Sequence, residues 1–547
     1  MSGIEQITNA LANQKDIESV HILSHGSEGS LKLGADVLNG NDIENFNTQL
    51  KQWGNALTEN GDILLYGCDL AAGETGKNFV KRLSELTGGD VAASNDLTGN
   101  QALGGDWDLE IVTGEIEAAV PFNQEAMKDY EYTLANFDVT VATDDGTGTV
   151  AGTLSKAILD ANAAAGDDSI TIQTNVRFTG TPNVPINSNI AFIGGGFTVS
   201  GDINNNSTND AGDVRPFLVN SGIVSFSNMT ISGGRAQGGN GGTGDTAGGA
   251  AAGMGGGLFI YNGTVALNNT AFAGNQAIGG NGGTDAFLYS GGGGGGFGGG
   301  GANGILFGPG GNGGAGGIFG GTGGAGGGTG GGTGGFGGGG GGSAGGTGGA
   351  GGAGGFGGGG GASGVGPGNG GAGGYGGGGG SSRYATVGIG GFGGGNATTF
   401  SGAAVSGGGG AGLGGAIFIR QGSLTLNSAT FNNNSATGGT GGNTGQGKGG
   451  AIFAMQSINA DPVNGSTQGM PTVLPTVTSF GATFTGNSAP DQAGTPGANT
   501  PANGVGNSQD NNDVYGTILG NPVNLSVSSN AGTEAGTTAI TVTATAS

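Results

Sequence analysis

Three stretches of the sequence are variants of one pattern: Gly222-Ile-Val-Ser-Phe-Ser-Asn-Met-Thr-Ile231, Gly263-Thr-Val-Ala-Leu-Asn-Asn-Thr-Ala-Phe272 and Gly422-Ser-Leu-Thr-Leu-Asn-Ser-Ala-Thr-Phe431. In each stretch, apolar residues alternate with small or polar ones, and this two-residue period is typical of β-strands with one buried face. Strands this short cannot bury an apolar face alone, but copies stacked on one another can. The repeats therefore predict a parallel β-helix; the alternative is chance similarity between strands of a β-sandwich.

The second copy shows which residues the pattern places inside. Val265, Leu267 and Phe272 are expected to point inward. Thr264, Ala266 and Asn268 are expected to point outward, and small residues and asparagines should turn the corners between strands. A fourth, less regular copy spans Val477 to Ala489, with Phe484 in the place of Phe431.

Glycine accounts for 142 of the 547 residues, and most of the excess lies in an insertion between the second and third copies, at about residues 279–410. The glycines keep no strict three-residue period and there are only 13 prolines, which excludes collagen. The composition is compatible with a flexible insertion, an adhesive loop or packed extended strands. We favour a disordered loop, because glycine-rich segments cost most entropy to order.

The first 135 residues differ from the rest of the chain: they hold 22 of the 38 acidic residues and include strong helix formers. Strand and helix patterns alternate there, which predicts an α/β domain with a mainly parallel sheet. The expected helices are Ile4–Leu11, Asp42–Leu57 and Gly76–Leu86; the expected strands are Val20–Leu23, Leu31–Leu33, Ile63–Tyr66 and Val91–Ala93, with Trp107–Val112 as an antiparallel edge.

The remaining chain divides into two further parts. Residues 136–510 are assigned to the β-helix, with an amphipathic helix at 153–164 that caps its first coil. Residues 511–547 contain two alternating stretches separated by a glycine-containing turn, which predicts the incomplete start of a β-sandwich.

The net charge of −24 repels phosphate backbones and argues against a nucleic-acid partner. No stretch is apolar for long enough to span a membrane, and the first residues lack the pattern of a signal peptide. The charge suits a secreted or cell-surface protein, whose export signal would then lie outside this sequence. The single cysteine, Cys68, excludes a disulfide framework within the chain.

Two buried-strand patterns in the first domain end in residues that can perform chemistry. One runs from Val20 to His25-Gly26 and the other from Ile63 to Gly67-Cys68. Neighbouring parallel strands end at the same edge of a sheet, so His25 and Cys68 are expected to meet there. An imidazole favours the thiolate form of a cysteine, and a glycine N–H can stabilise an oxyanion. The alternatives are a buried apolar cysteine and a turn histidine; His21, within its strand, is expected to be a core residue.

This part of the sequence resembles the caspase-like cysteine peptidases of clan CD, which include the separases and the CHAT domains. It is more similar to an uncharacterised bacterial domain family related to that clan, which opens large surface proteins. The resemblance covers about residues 1–134 and rests on these motifs: Ser24-His25-Gly26, Leu31-Lys-Leu-Gly34, Leu65-Tyr-Gly-Cys68, Ala72-Gly73, Val91-Ala-Ala-Ser94 and Gly104-Gly-Asp-Trp107. It implies that Cys68 is the nucleophile, that His25 is the general base, and that the N–H groups of Gly26 and Cys68 form the oxyanion hole, with no cofactor. The family has one more strand before the first helix, which predicts a truncated N-terminus here.

Later segments resemble bacterial surface proteins. Gly152-Thr-Leu-Ser-Lys-Ala-Ile158-Leu-Asp-Ala-Asn162 is similar to the segment that opens many β-helix proteins, although Ser-Lys replaces Arg-Glu. Gly414-Gly-Ala-Ile417, Gly449-Gly-Ala-Ile452 and Phe431-Asn-Asn-Asn434 resemble repeats of the polymorphic outer-membrane adhesins. The final segment is similar to the start of Calx-β domains.

An oxygen-rich segment has the spacing of a calcium-binding loop. The candidate ligands are Asp202, Asn204, Asn206, Asp210 and Asp213. Ser207 stands where such loops have glycine, and Asp213 stands where they have glutamate. Ca²⁺ is the cofactor that this spacing predicts, and the alternative is an Asx-rich turn that binds no metal.

These observations leave three functions open. The first is an adhesin-like surface protein with a thiol peptidase domain that cuts its own chain or other surface proteins. The second is a non-catalytic structural or adhesive protein, with glycans among its partners. The third is a β-helix enzyme acting on polysaccharides, which is disfavoured because no charged cluster recurs in the repeats.

Overall fold

The structure is a computed structural model. It describes residues 3–33, 36–40, 42–99, 105–123, 125, 127, 136–164, 167–286, 290–297, 299–305, 308–317, 321–328, 330–344, 348–399, 404–489 and 512–520. The chain forms two compact units: residues 1–203 with 219–229, and residues 204–218 with 230–547. The two stretches predicted to open a β-sandwich lie outside the described residues.

Among the described residues up to Val112, the first unit has three α-helices and seven strands. The helices are α1 (Gly3–Leu11), α2 (Asn47–Gly54) and α3 (Gly73–Thr87), and a 3₁₀ turn at Ile43–Phe46 precedes α2. The strands are β1 (Ile17–Leu23), β2 (Gly26–Ser27), β3 (Ser30–Leu33), β4 (Asp36–Asn39), β5 (Leu57–Tyr66), β6 (Asp90–Ala93) and β7 (Ile111–Val112).

The central sheet of this region has the order β1-β5-β6-β7, with three parallel strands and β7 antiparallel at the edge. Strands β2, β3 and β4 form a separate antiparallel sheet. One face of the central sheet packs residues such as Ile22, Ile63 and Leu65 against the helices. The other face packs Leu64 and Tyr66 against the segment that follows β6. The predicted α/β alternation with a mainly parallel sheet is confirmed.

The predicted helix Asp42–Leu57 is wrong at both ends, since α2 is shorter and Leu57 already belongs to β5. Helix α2 ends at Gly54, where it meets the end of α3. A Cβ on Gly54 would lie 1.7 Å from the carbonyl oxygen of Thr87. This contact between two backbones fixes the end of the helix, and the amphipathic pattern alone did not reveal it.

The rest of the first unit consists of one helix and short parallel strands. Helix α4 (Leu154–Ala163) is N-capped by Thr153, in the place of the predicted capping helix. The strands are β8 (Asn136–Val139), β9 (Thr143–Asp144), β10 (Asp167–Ile172), β11 (Val176–Phe178), β12 (Asn189–Ile193), β13 (Thr198–Ser200), β14 (Phe217–Val219, of which Val219 belongs to this unit) and β15 (Ile223–Ser227). They form parallel sheets in the orders β8-β10-β12-β15 and β9-β11-β13.

The second unit repeats the same short strands. They are β16 (Thr230–Ser232), β17 (Arg235–Gln237), β18 (Gly253–Met254), β19 (Leu258–Ile260), β20 (Thr264–Asn268), β21 (Ala271–Ala273), β22 (Gln276–Ile278), β23 (Gly412–Leu413), β24 (Ile417–Ile419), β25 (Ser423–Asn427), β26 (Thr430–Asn432), β27 (Ser435–Thr437), β28 (Gly447–Lys448), β29 (Ile452–Ala454), β30 (Thr476–Phe480), β31 (Thr483–Thr485) and β32 (Val514–Tyr515). Equivalent strands of successive copies pair in parallel, for example β20 with β25 and β25 with β30.

The stacking follows the sequence register of the repeats. Val265 pairs with Leu424, and Phe272 pairs with Phe431. Val265, Leu267 and Phe272 are fully buried, as predicted. The corner positions Asn269 and Ser428 have φ angles of 49° and 53°, a left-handed conformation that asparagine tolerates better than most residues.

Buried asparagines form a ladder along the stacked copies. Asn275 Nδ2 donates to Asn434 Oδ1 at 2.9 Å, and Asn434 Nδ2 donates to Asn487 Oδ1 at 3.0 Å. Each of these amides also donates to a main-chain oxygen of the preceding copy. The ladder satisfies buried backbone groups at the turn, where no strand partner is available.

The glycine-rich insertion has an ordered hydrogen-bond network through most of its described residues, so the disordered loop that we favoured is not what the structure shows. Along an extended segment, successive main-chain N–H groups donate to three different neighbouring segments in turn. Every third residue therefore bonds to the same neighbour. Gly339 and Gly342 donate to Gly314 and Gly311, Gly340 and Ser343 donate to Gly359 and Ala362, and Gly338 and Gly341 donate to Gly335 and Gly332. Three residues per turn without internal hydrogen bonds is the geometry of a polyproline II helix.

Glycine is required in this bundle because neighbouring backbones leave no room for a side chain. A Cβ on Gly340 would lie 2.0 Å from the carbonyl oxygen of Gly352, and one on Gly361 would lie 2.1 Å from that of Gly341. The same constraint places glycine at the axis of the collagen triple helix. The insertion is therefore a packed bundle of extended segments.

Aromatic residues join the bundle to the strands of the second unit. Phe336, Phe356, Tyr375 and Phe392 stack in a row, with ring centroids 4.9–5.4 Å apart. A second row consists of Phe259, Phe418, Phe453 and Tyr515, with centroids 4.7–5.3 Å apart. Edge-to-face contacts such as Phe356–Phe418 and Tyr375–Phe453 connect the two rows. The rows supply the apolar core that glycine itself cannot form.

Substitution of Gly340 by alanine should destabilise the second unit by about 1–3 kcal/mol, because the added methyl group meets a backbone that cannot move aside. The measurement is the free energy of unfolding in urea. Gly328→Ala is the matched control, since nothing lies within 4 Å of a Cβ at that position. Equal stability of the two variants would contradict the packed bundle.

Asp168 gives the first unit a predicted pH dependence. Its carboxyl group is 2% exposed, and neither oxygen has a hydrogen-bond partner among the described residues. Burial, with a smaller contribution from the charge of Asp167, raises its pKa to about 7. The folded state therefore binds a proton that the unfolded state releases near pH 4, so stability should fall as the pH rises from 4 to 8.

Asp168→Asn should reduce the loss of stability between pH 4 and pH 8 and should stabilise the protein at pH 8. The measurement is the free energy of unfolding in urea at several pH values. Glu115→Gln serves as the control, because Glu115 is an exposed carboxyl group of the same unit that does not contribute to the pKa of Asp168. An unchanged pH profile in Asp168→Asn would show that this carboxyl group does not titrate as the structure indicates.

Candidate functional site

The strands that precede His25 and Cys68 lie next to each other. Strands β1 and β5 are parallel, and Leu23 is paired with Tyr66. The N–H of Ser24 donates to the carbonyl oxygen of Tyr66 at 3.0 Å, so the pairing continues past the last strand residue. His25 and Cys68 each come two residues after this pair, and the backbone brings both to the same edge of the sheet.

The two turns that follow these strands are in direct backbone contact. A Cβ on Gly26 would lie 2.9 Å from the carbonyl oxygen of Cys68, and one on Gly67 would lie 2.9 Å from that of Ser24. Gly26 begins β2, which pairs with β3 through Gly26 and Leu31. The two glycines thus allow the His25 turn and the Cys68 turn to touch, which larger residues would prevent.

The thiol of Cys68 is covered. Cys68 is 1% exposed and packs with Leu64, Tyr66 and Ala92 on one face of the sheet. Its Sγ accepts a hydrogen bond from the N–H of Thr98 at 3.2 Å and lies 3.5 Å from the carbonyl oxygen of the same residue. The sulfur is thus held between the backbone of Thr98 and an apolar cluster.

His25 is half-buried at the start of the β2–β3 hairpin. Its carbonyl oxygen accepts the N–H of Lys32 at 3.0 Å, and the hydroxyl of Ser24 donates to the carbonyl oxygen of Lys32. Burial lowers the pKa of Lys32 to about 8. The lowered pKa of Lys32 was not expected from the sequence, because it depends on how deeply the folded hairpin buries this side chain.

Acidic residues surround the turn after Cys68. Asp69 has a φ of 55° and donates its N–H to the carbonyl oxygen of Asp96 at 2.7 Å. Burial raises its pKa, and the negative charges of Asp96 and Glu28 raise it further. Carboxylate oxygens of Asp96, Asp106 and Glu110 lie within 4.8 Å of one another. No regular spacing in the sequence links these three residues, which explains why they were not singled out.

The predicted calcium ligands are placed as follows. Asp202 belongs to the first unit, and the other four belong to the second. Asn204 and Asn206 donate their amide groups to the carboxylate of Asp210, at 3.1 and 2.7 Å. These bonds lower the pKa of Asp210, and the N–H of Asp210 donates to Asp213 Oδ2 at 2.7 Å. The amides act here as hydrogen-bond donors to Asp210, as in an Asx-rich turn, and the calcium site stays a prediction.

Comparison with known proteins gives a family match for the first part of the chain. A family model described as "Domain of unknown function (DUF4347)" matches residues 1–134. No curated protein and no solved structure matches the chain. The match covers the region that contains His25 and Cys68, and it assigns no activity to them. Within the described part of the chain, every helix is too short or too polar to cross a membrane.

Substitution of Gly67 by alanine should destabilise the sheet edge by about 1–3 kcal/mol, because the methyl group would press against the Ser24 carbonyl oxygen. Hydrogen–deuterium exchange of the peptide that covers residues 57–70 should become faster. Gly40→Ala provides the control, because a Cβ there has nothing within 4 Å. If both variants exchange alike, the two turns do not touch as described.

Proposed function

We propose that residues 1–134 form a caspase-like thiol peptidase domain, with Cys68 as nucleophile and His25 as general base. The observation that carries the proposal is the backbone contact between the His25-Gly26 turn and the Gly67-Cys68 turn at the ends of paired strands. The resemblance of this region to clan CD peptidases supports the same roles.

In the proposed reaction, His25 takes the thiol proton, and the Cys68 sulfur attacks the carbonyl carbon of a peptide bond. The N–H groups of Gly26 and Cys68 would stabilise the oxyanion, and His25 would then protonate the departing amine. Water hydrolyses the resulting thioester and releases the acid and the free thiol. Because Thr98 covers the sulfur, residues around Thr98 must move before a substrate can reach it.

The remainder of the chain supports a proposed setting for this activity. The in-register parallel stacking of the repeats is the arrangement expected of a parallel β-helix, and their motifs resemble those of surface adhesins. We place the protein in a secreted or surface location, where the peptidase domain would cut its own chain or a neighbouring surface protein.

A second candidate is a non-catalytic adhesive or structural protein in which the first domain only folds and interacts. The burial of Cys68 in an apolar cluster favours it, since a free cysteine is commonly a small core residue. The two candidates differ in the reactivity of one thiol.

Thiol labelling can separate the candidates, because Cys68 is the only cysteine of the protein. In the folded full-length chain, iodoacetamide should label Cys68, and His25→Ala should slow labelling roughly tenfold at pH 7, because the proposed base no longer takes the thiol proton. Lys81→Gln, a change of an exposed residue on α3, should leave the rate unchanged.

Peptidase activity is tested by intact mass after prolonged incubation, alone and with unfolded protein substrates. Fragments that appear with the wild type and not with Cys68→Ala would support the proposal. If labelling does not depend on His25, and the wild type and Cys68→Ala give identical masses, the peptidase proposal is contradicted. The non-catalytic structural or adhesive role is then supported.

A further inference from the structure

A hydrogen bond joins the strand that follows His25 to β8, which lies beyond the family match. Ser27 Oγ, in β2, donates to Asp138 Oδ2, in β8, at 3.0 Å. The two residues are 111 positions apart in the sequence, and both belong to the first unit. Strand β2 begins at Gly26, directly after His25, so this bond is made next to the turn that carries the proposed general base.

Strand β8 presents Asp138 on its outer face. In the pairing of β8 with β10, Val139 lies beside Ile172, and both are buried, whereas Asp138 lies beside Thr171. Successive residues of a strand point to opposite faces, so Asp138 points away from the apolar interior. Strand β8 is at the end of the order β8-β10-β12-β15, and β2 contacts it. Asp138 is therefore placed to bond with the first part of the chain.

The outer face of this sheet is covered at β10, next to β8. Ser169 is fully buried and Thr171 is 8% exposed, whereas Ser225 and Ser227, at the corresponding positions of β15, are partly exposed. A hydrogen bond to a carboxylate is stronger than one between neutral groups, and exclusion of water strengthens it further. The bond between β2 and β8 is thus suited to hold the strands together.

The hairpin formed by β2 and β3 is also attached to the turn that holds Cys68. A Cβ on Gly26 would lie 2.9 Å from the carbonyl oxygen of Cys68, and the N–H of Gly29 donates to the carbonyl oxygen of Leu70 at 2.9 Å. The hairpin therefore has two attachments, one to the Cys68 turn and one to β8. Loss of the second would let the hairpin shift, and a displacement of about 1 Å between reacting groups can slow a reaction roughly 100-fold.

We propose that Asp138 is a positioning residue for the peptidase reaction. By accepting the Ser27 hydroxyl, it holds the His25-Gly26 turn against Cys68, so that the imidazole keeps the orientation that proton transfer requires. Asp138 acts through Ser27 and takes no part in the proton transfer. The proposal rests on the proposed peptidase function, and it assigns part of the architecture of that site to a strand outside residues 1–134.

The test is the rate at which iodoacetamide labels Cys68 in the folded full-length chain at pH 7. Asp138→Ala and Ser27→Ala should each slow labelling about fivefold, because His25 is then no longer held beside the thiol. Asp138→Asn should label within about twofold of the wild-type rate, since its amide oxygen can still accept the Ser27 hydroxyl. This rescue distinguishes the hydrogen bond from the charge.

The matched control is Asp160→Ala, which removes the same charge from α4, where the carboxylate is bonded to Lys156 of its own helix. It should label like the wild type. Hydrogen–deuterium exchange reports on the attachment itself: in Asp138→Ala, the peptide covering residues 24–33 should exchange faster, and the peptide covering residues 73–87 should be unchanged. Circular dichroism confirms that all variants are folded.

A double variant separates positioning of His25 from general damage to the fold. In a His25→Ala background, Asp138→Ala should slow labelling no further, because the group that it positions is already absent.

The inference is overturned if His25→Ala slows labelling and Asp138→Ala does not, if Asp138→Asn is as slow as Asp138→Ala, or if Asp138→Ala has its full effect without His25. If His25→Ala itself has no effect, the peptidase proposal fails, and this inference is overturned with it. The His25→Ala variant therefore distinguishes the two failures.

Discussion

The fold depends on close approach of backbones, at distances that exclude a Cβ. In the glycine-rich bundle, segments donate hydrogen bonds to three neighbours, and carbonyl oxygens occupy the positions where side chains would start. These segments form main-chain hydrogen bonds to one another without forming a helix or a sheet. The same constraint acts between α2 and α3 at Gly54, and between the two turns at Gly26 and Gly67. Glycine is therefore a packing residue in this protein.

Close packing of backbones provides hydrogen bonds but buries little apolar surface. A second interaction has to supply this apolar burial. The two rows of stacked aromatic rings do this in the second unit, and Arg420 lies against the first row, with its guanidinium 5.7 Å from the ring centre of Phe336 and 5.9 Å from that of Phe356. Arg420 also donates to the carbonyl oxygens of Gly469 and Met470. The cation thus remains hydrogen-bonded although it is almost fully buried, as a buried charge requires.

The acidic side chains are concentrated in other parts of the fold than the glycines. Acidic side chains gather at both ends of the central sheet: Glu28, Asp69 and Asp96 near Cys68, and Glu18, Glu59 and Glu117 around an open depression at the other end. Both ends therefore favour cationic groups over anionic ones. The net charge of −24 is in part a property of these two local regions.

The sequence by itself determined the repeats, their inward and outward faces and their parallel stacking, because a two-residue period and equal copy lengths are local information. It also placed His25 and Cys68 after strands that the structure pairs. Tertiary structure alone decided the order of the glycine-rich insertion, the cover that Thr98 provides over Cys68, and the hydrogen bond between Ser27 and Asp138. Each of these depends on contacts between segments far apart in the chain, and glycine carries no side-chain pattern from which such contacts could be read.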